Sequence, residues 1–341
     1  MIDLSKEQQV GEWKAAPFDP HPLLRNGHLQ TLAAAFLSGT KGISLSSTQH
    51  IVEMEDGDKL AILDDAPENW SPGDPIVVLL HGLCGSSVSH YMCRIASKLI
   101  DRGQRAFRVN MRGCGEGQGM ARLPYHAGRS SDLASIIEYV RTLCPDSQIS
   151  VVGFSLGGNV VLKWLGESAA SVPETVRRAV AVNPPADLQV CTEGLATLLG
   201  GFYDRHFARL LHEHALETPH WHGFIPKGWS SRGPKRVLEF DEELTAPVAG
   251  FASAADYYQQ SSAARVIGDI RVPTLLLTSR NDPLVPVSLF ELMTLPESVH
   301  LHVAPCGGHL GYIGRSGGSD PDRHWMDWRV IDWLTSEKPM P

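Results

Sequence analysis

Gln148-Ile149-Ser150-Val151-Val152-Gly153-Phe154-Ser155-Leu156-Gly157-Gly158-Asn159-Val160-Val161-Leu162 is the stretch that decides the reading of this chain. An apolar run stops at Gly153, a sharp turn centres on Ser155, and a helix-compatible apolar segment follows. The turn has the form G-x-S-x-G. Between a buried strand and a helix this is a nucleophile elbow, which lifts a serine hydroxyl clear of the sheet edge. Gly153 and Gly157 are required because a Cβ at either position would meet the neighbouring strand or helix. With 32 glycines in 341 residues, the five-residue pattern alone arises by chance in about one such chain in five. The flanking strand and helix give it weight, and the rest of the chain has to supply chemical partners.

The sequence on either side alternates strand and helix. Ile76-Val77-Val78-Leu79-Leu80 is apolar on both faces, as a parallel strand covered by helices must be. It ends in His81-Gly82-Leu83-Cys84-Gly85. A helix follows with Val88, Tyr91, Met92, Ile95 and Leu99 on one face. Strands are predicted over 106–110, 176–182, 274–278 and 299–303, with a helix carrying Leu133, Ile136, Ile137, Val140 and Leu143. Asp56-Gly57-Asp58 turns an antiparallel hairpin ahead of them. A closing helix is expected with Asp320 as N-cap and Pro321 at its first position. Buried parallel strands between helices give a doubly wound, mostly parallel α/β sheet. From 185 to 265 the alternation lapses into aromatic-rich, partly helical sequence too long for a loop. We read that stretch as a helical cap inserted into a core of 43–184 and 266–341, with 1–42 as a lead-in packed on the core.

Composition narrows the function. A net charge of −8 and a pI near 6.0 disfavour a nucleic-acid partner. Six scattered cysteines without metal spacing read as reduced thiols. The first nine residues have no apolar core for a signal peptide, and no apolar run is long enough to cross a membrane. A cytoplasmic protein with no integral membrane segment is expected.

A serine hydroxyl needs a base, and the base needs an orienting group. On a sheet of this kind they follow in the order Ser, Asp or Glu, His. Asp282, in Ser279-Arg280-Asn281-Asp282-Pro283, follows the strand at 274–278. His309, in Gly307-Gly308-His309-Leu310-Gly311, follows the strand at 299–303. Both lie at carboxyl ends of strands, where open α/β sheets bind ligands. The backbone N–H groups of Leu83 and Leu156 are the expected oxyanion donors. His81 reads as structural, a ring packed under its loop. His300 and His302 share a strand face, but with no third ligand no metal is expected. The loop at 113–119 lacks a dinucleotide register, and no cofactor is expected.

These residues resemble the α/β-hydrolase-fold serine hydrolases, and among them the YheT-like branch. The matching segments are Asn26–Thr31, Asp56–Asp58, His81–Leu83, Asn110–Gly115, Tyr125–Gly128, Gly153–Asn159, Asn281–Pro283 and Gly308–Gly311. Phe240-Asp241-Glu242 and Tyr257-Tyr258 match within the cap. The resemblance implies a Ser155–Asp282–His309 arrangement and a small-molecule acyl ester as substrate. Eukaryotic members act on lipid esters and are often membrane-anchored; no such anchor is expected from this N-terminus. Asn26–Thr31 is expected to pack on the sheet edge, and His126 with Asp132 to organise a helix start. The expected activity is hydrolysis of short- to medium-chain carboxylic esters. Acyl transfer from the same intermediate and a non-catalytic binding protein are the alternatives. Epoxide or haloalkane chemistry would need a carboxylate at position 155.

Overall fold

The computed structural model describes residues 13–37, 39–230 and 232–336. Residues 1–12, including those read above for a signal peptide, lie outside them. Within the described residues, the elements in chain order are α1 (Gly27–Phe36), β1 (Thr48–Glu53), β2 (Lys59–Asp65), β3 (Ile76–Leu80), α2 (His90–Ile100), β4 (Arg105–Val109), α3 (Ser130–Leu143), β5 (Ile149–Phe154), α4 (Leu156–Glu167) and β6 (Val176–Val182). Then come α5 (Leu188–Thr197), α6 (Phe202–Glu217), α7 (Val237–Phe240), α8 (Ala246–Ala249) and α9 (Ala254–Ser261). The chain returns to the sheet with β7 (Thr274–Ser279), α10 (Ser288–Glu291), β8 (Val299–Ala304) and α11 (Trp325–Thr335).

The strands form one sheet in the order β1-β2-β4-β3-β5-β6-β7-β8. β1 and β2 are the predicted hairpin, β2 runs antiparallel to β4, and the rest are parallel. Side chains alternate between two cores because successive Cβ atoms point to opposite faces. Ile76, Val78, Leu80 and Val151 meet α3 and α4. Val77, Leu79, Val152 and Phe154 meet α2 and α11. The carboxyl ends of β3, β5, β6, β7 and β8 share one rim, and α5, α6, α7 and α9, between β6 and β7, contribute to the walls of a cavity there.

Three boundary expectations are corrected. α11 begins at Trp325, after His324, and not at Pro321. Asp320, read as the N-cap, pairs instead with Arg329, and Asp322 accepts from the His324 N–H and the Trp328 indole and pairs with Lys98. Val88 precedes α2 and is exposed. Asn26–Thr31 does not lie along a sheet edge; it caps and starts α1 against the loop that carries His309. All six cysteines are free thiols.

Candidate active site

The elbow is built as its glycines demand. Ser155 has φ 50°, ψ −119°, a strained conformation of the kind held at functional turns. A Cβ on Gly153 would lie 2.2 Å from the Gly157 carbonyl oxygen, and one on Gly157 would lie 2.5 Å from the His81 carbonyl oxygen. The Ser155 N–H donates to the Val182 carbonyl at 2.8 Å, which fixes the turn against β6.

Three side chains predicted from separate strands converge. Ser155 Oγ lies 2.8 Å from His309 Nε2, and His309 Nδ1 lies 2.9 Å from Asp282 Oδ2. An ionised carboxylate only accepts, so Nδ1 carries the proton and Nε2 is left to accept from the serine hydroxyl. Asp282 does two jobs. Its Oδ1 accepts from the N–H groups of Leu284 and Val285 at 2.8 and 3.1 Å, a turn cap, while Oδ2 faces the imidazole. Its side chain is fully buried, as a fixed orienting group should be.

Leu83 and Leu156 both line the cavity beside Ser155. The flanking amides at 82–84 are bound. Gly82 N–H donates to the Tyr91 hydroxyl at 2.9 Å and Cys84 N–H to the Tyr125 hydroxyl at 3.0 Å. Among the described residues neither the Leu83 nor the Leu156 N–H has a hydrogen-bond acceptor. A free Leu156 N–H is expected at the first position of α4, where no preceding turn supplies a carbonyl.

His81 is structural. Its Nε2 accepts from the Met111 N–H at 3.1 Å and Nδ1 donates to the Gly82 carbonyl at 2.8 Å. Burial pushes its pKa down to about 4, so the ring is neutral and fixed. His300 and His302 do share a face, but tryptophans occupy it. Trp13 meets both rings edge-on, Trp333 stacks on His300, and Trp325 lies over His302. Among the described residues no group of three His, Cys, Asp or Glu is placed to hold a metal. No helix among them is long and apolar enough to cross a membrane. His126 and Asp132 flank the start of α3 but do not bond each other. Asp132 grips Arg112 through both oxygens, and Arg112 also binds Asp56 and Asp58. His126 accepts from the Gly128 N–H and packs edge-on against Phe251 and Tyr257. Burial holds its pKa well below the usual histidine value.

Several supporting residues went unread in the sequence. Asn183, just past β6, donates from Nδ2 to Asp282 Oδ2 at 2.6 Å, and its Oδ1 accepts from the Tyr312 hydroxyl at 3.0 Å. Thr31 Oγ1 accepts from the His309 N–H at 2.9 Å. Gln30 brackets Ile313 through both its amide atoms. Asn281 Oδ1 accepts from the N–H groups of Gly307 and Gly308, and its Nδ2 donates to the Arg25 carbonyl. The only available sequence signal was Asn26–Thr31 standing outside any strand or helix of the core.

A cavity of about 910 Å³ opens over Ser155. One side is walled by α1 and the segment leading into α2, with Leu32, Phe36 and Val88. The other runs beneath α5 and α6, with Leu188, Leu195 and Phe207.

The comparisons agree with this architecture. The chain is 29% identical over 326 residues to "Putative esterase YheT" of Escherichia coli, covering 94% of each chain. It is 27% identical over 286 residues to a Saccharomyces cerevisiae medium-chain fatty acid ethyl ester synthase/esterase, covering 76% of this chain and 62% of that one. The solved esterase Pf2001 of Pyrococcus furiosus superposes with a TM-score of 0.55 at 19% identity, over 86% of this chain and 94% of that one. That last likeness speaks for the fold. Residues 75–316 match the model of the alpha/beta hydrolase fold family, and the chain belongs to that family.

Proposed function

We propose that this protein is a serine-dependent carboxylic ester hydrolase acting through an acyl-enzyme. The observation that carries the reading is the unbroken line from Ser155 Oγ to His309 Nε2 and from Nδ1 to Asp282, at 2.8 and 2.9 Å. Ser155 Oγ attacks the ester carbonyl carbon and passes its proton to His309 Nε2. Asp282 holds the ring in the accepting tautomer and stabilises the imidazolium that forms. The oxygen that gains charge is met by the N–H groups of Leu83 and Leu156, which have no other acceptor. The C–O bond to the alcohol breaks, and the alcohol leaves with the proton from His309. Water then enters, gives a proton to His309 and attacks the acyl carbon. The acid departs and Ser155 takes the proton back. The apolar wall under α5 and α6 suits a short to medium acyl chain, with α5 to α9 acting as the cap. The esterase named among the relatives supports the same class of substrate.

Fluorophosphonate labelling tests the mechanism. The wild type should label at Ser155, and Ser155→Ala should neither label nor turn over, with kcat down by about a millionfold. A Ser155→Ala variant that still labels would sink it. A second reading, acyl transfer to an alcohol, is favoured by the relative whose name joins synthase and esterase. Product analysis with a competing alcohol separates the two, because a transferase forms the new ester faster than free acid.

A further inference from the structure

The cavity over Ser155 is walled mainly by aliphatic and aromatic side chains, yet a small polar cluster opens onto it from the helices between β6 and β7. Its members are Thr192 on α5, Asp241 and Thr245 in the π-helical turn 241–245 that joins α7 to α8, and Tyr258 on α9. All four are buried. The Tyr258 hydroxyl donates to Asp241 Oδ2 at 2.7 Å. The Thr245 side chain also bonds Asp241, and the Thr192 side chain bonds Tyr258. Tyr258 belongs to the same packed cluster as Leu156 and Leu188 and lines the same cavity as Ser155.

The chemistry of Asp241 is out of proportion to a purely structural task. Among the described residues it has no ion-pair partner, and its bonds come from two neutral hydroxyls. Burying a carboxyl this way is costly, and neutral side chains would tie the helices together at less cost. Burial pushes its pKa up to about 6. A carboxylate has about four acceptor positions; two are taken by Tyr258 and Thr245. π-helical turns are rare, and they recur at functional sites.

We propose that Asp241, with Tyr258, Thr192 and Thr245 around it, is a recognition site for a hydroxyl group on the substrate, Asp241 accepting its hydrogen bond. The inference rests on the ester-hydrolase reading and adds its substrate class: an ester whose buried portion carries a hydroxyl some distance from the carbonyl. A hydroxyl is favoured over an ammonium because moving a cation into a mainly apolar cavity costs far more than moving an alcohol. The four-residue cluster holds one carboxyl; the cavity's other carboxyls, Glu213 and Glu217, lie on α6 and not in it.

The test compares matched esters. p-Nitrophenyl esters of straight-chain acids from four to eight carbons are paired with their ω-hydroxy counterparts. A second series pairs alkyl butanoates with ω-hydroxyalkyl butanoates, so that either half of the ester can bring the hydroxyl. At one chain length in one series, the wild type should favour the hydroxylated ester by roughly 10- to 100-fold in kcat/KM, the range of a bond to a charged acceptor. Asp241→Asn and Tyr258→Phe should each pull that ratio towards one. The ratio is the readout, so a general fall in rate from altered packing does not mimic it. The inference is overturned if the wild-type ratio stays near one at every length in both series, or survives in both variants. A stronger preference for an ω-amino ester overturns the hydroxyl assignment. Plain-ester turnover and fluorophosphonate labelling of the wild type separate the two layers. If both are present and the ratio is one, this inference fails alone; if both are absent, the ester reading fails beneath it.

Discussion

At the scale of single residues, Asn183 holds more of the site together than its place after β6 suggests. It sits at φ +46°, a left-handed conformation that asparagine tolerates better than most residues. That backbone turns its amide between two partners: Nδ2 to Asp282 and Oδ1 to Tyr312. Asp282 therefore receives three N–H donors besides the imidazole, counting Leu284 and Val285. Removing Asn183 frees Asp282 Oδ2 to leave His309 Nδ1. Because Asn183 does not line the cavity, the loss should fall on kcat and spare KM. Asn183→Ala is expected to lower kcat by about 10- to 100-fold, the range for a bond to a charged group. Asn183→Asp should cost more, since it sets a second carboxylate against Asp282. Steady-state rates on p-nitrophenyl butanoate check both, and an alanine variant within threefold of wild type would contradict the role. Nothing in the linear sequence marks Asn183: its partners come from β7, from the loop after β8 and from nowhere near position 183.

At the scale of elements, α1 is the surprise. Its polar inner side meets the His309 loop: Thr31 receives the His309 N–H and Gln30 clamps Ile313. Leu29 is exposed to solvent, while Leu32 and Phe36, also exposed, line the mouth of the cavity. Gly27 makes the approach possible, since a Cβ there would stand 1.9 Å from the Asn281 carbonyl oxygen. Backbone atoms on both sides leave no flexible end to move. Gly27→Ala should push α1 off the loop, cut kcat by an order of magnitude or more, and lower stability by about 1–3 kcal/mol. A melt and a rate on one sample decide it; an alanine variant that melts and turns over like wild type removes α1 from the machinery. The comparison with sequence is instructive at this scale. β3, β5 and β7 were readable because strands buried on both faces are mostly apolar runs, and each ended next to its predicted functional residue. The start of α11 was misplaced because Asp320 and Asp322, good caps by type, are drawn to Arg329, His324 and Trp328. Asn26–Thr31 looked like edge packing because its real partners lie about 280 residues further on, in the loop after β8. Periodicity reports burial, and it says nothing about which distant loop a polar side chain will meet.

At the scale of the whole molecule, the face of the sheet covered by α2 and α11 is locked by a buried ionic centre. Asp327 on α11 is fully buried and takes Arg94 through both oxygens at 2.8 and 3.1 Å, and Lys98 at 2.7 Å. Burial alone would raise its pKa. The charges of Arg94 and Lys98 outweigh that and hold it down to about 2, against an ordinary value of 3.8. A carboxyl whose folded pKa lies below its unfolded one binds fewer protons when folded, so its contribution is complete above the unfolded value and fades as pH falls towards the folded one. Asp327→Ala removes the buried carboxylate that Arg94 and Lys98 share, leaving Lys98 with Asp322, which should cost about 3–5 kcal/mol at neutral pH. The pH dependence distinguishes this ionic role from lost packing. In urea melts, the gap between wild type and Asp327→Ala should be constant from pH 7 to about 5, then narrow between 3.8 and about 2. A packing defect would leave the gap the same size at pH 3 as at pH 7. Fluorophosphonate labelling at neutral pH should persist in whatever fraction of the variant stays folded, because α2 and α11 meet on the side of the sheet away from α3 and α4, and the Ser155–His309–Asp282 line draws on neither helix.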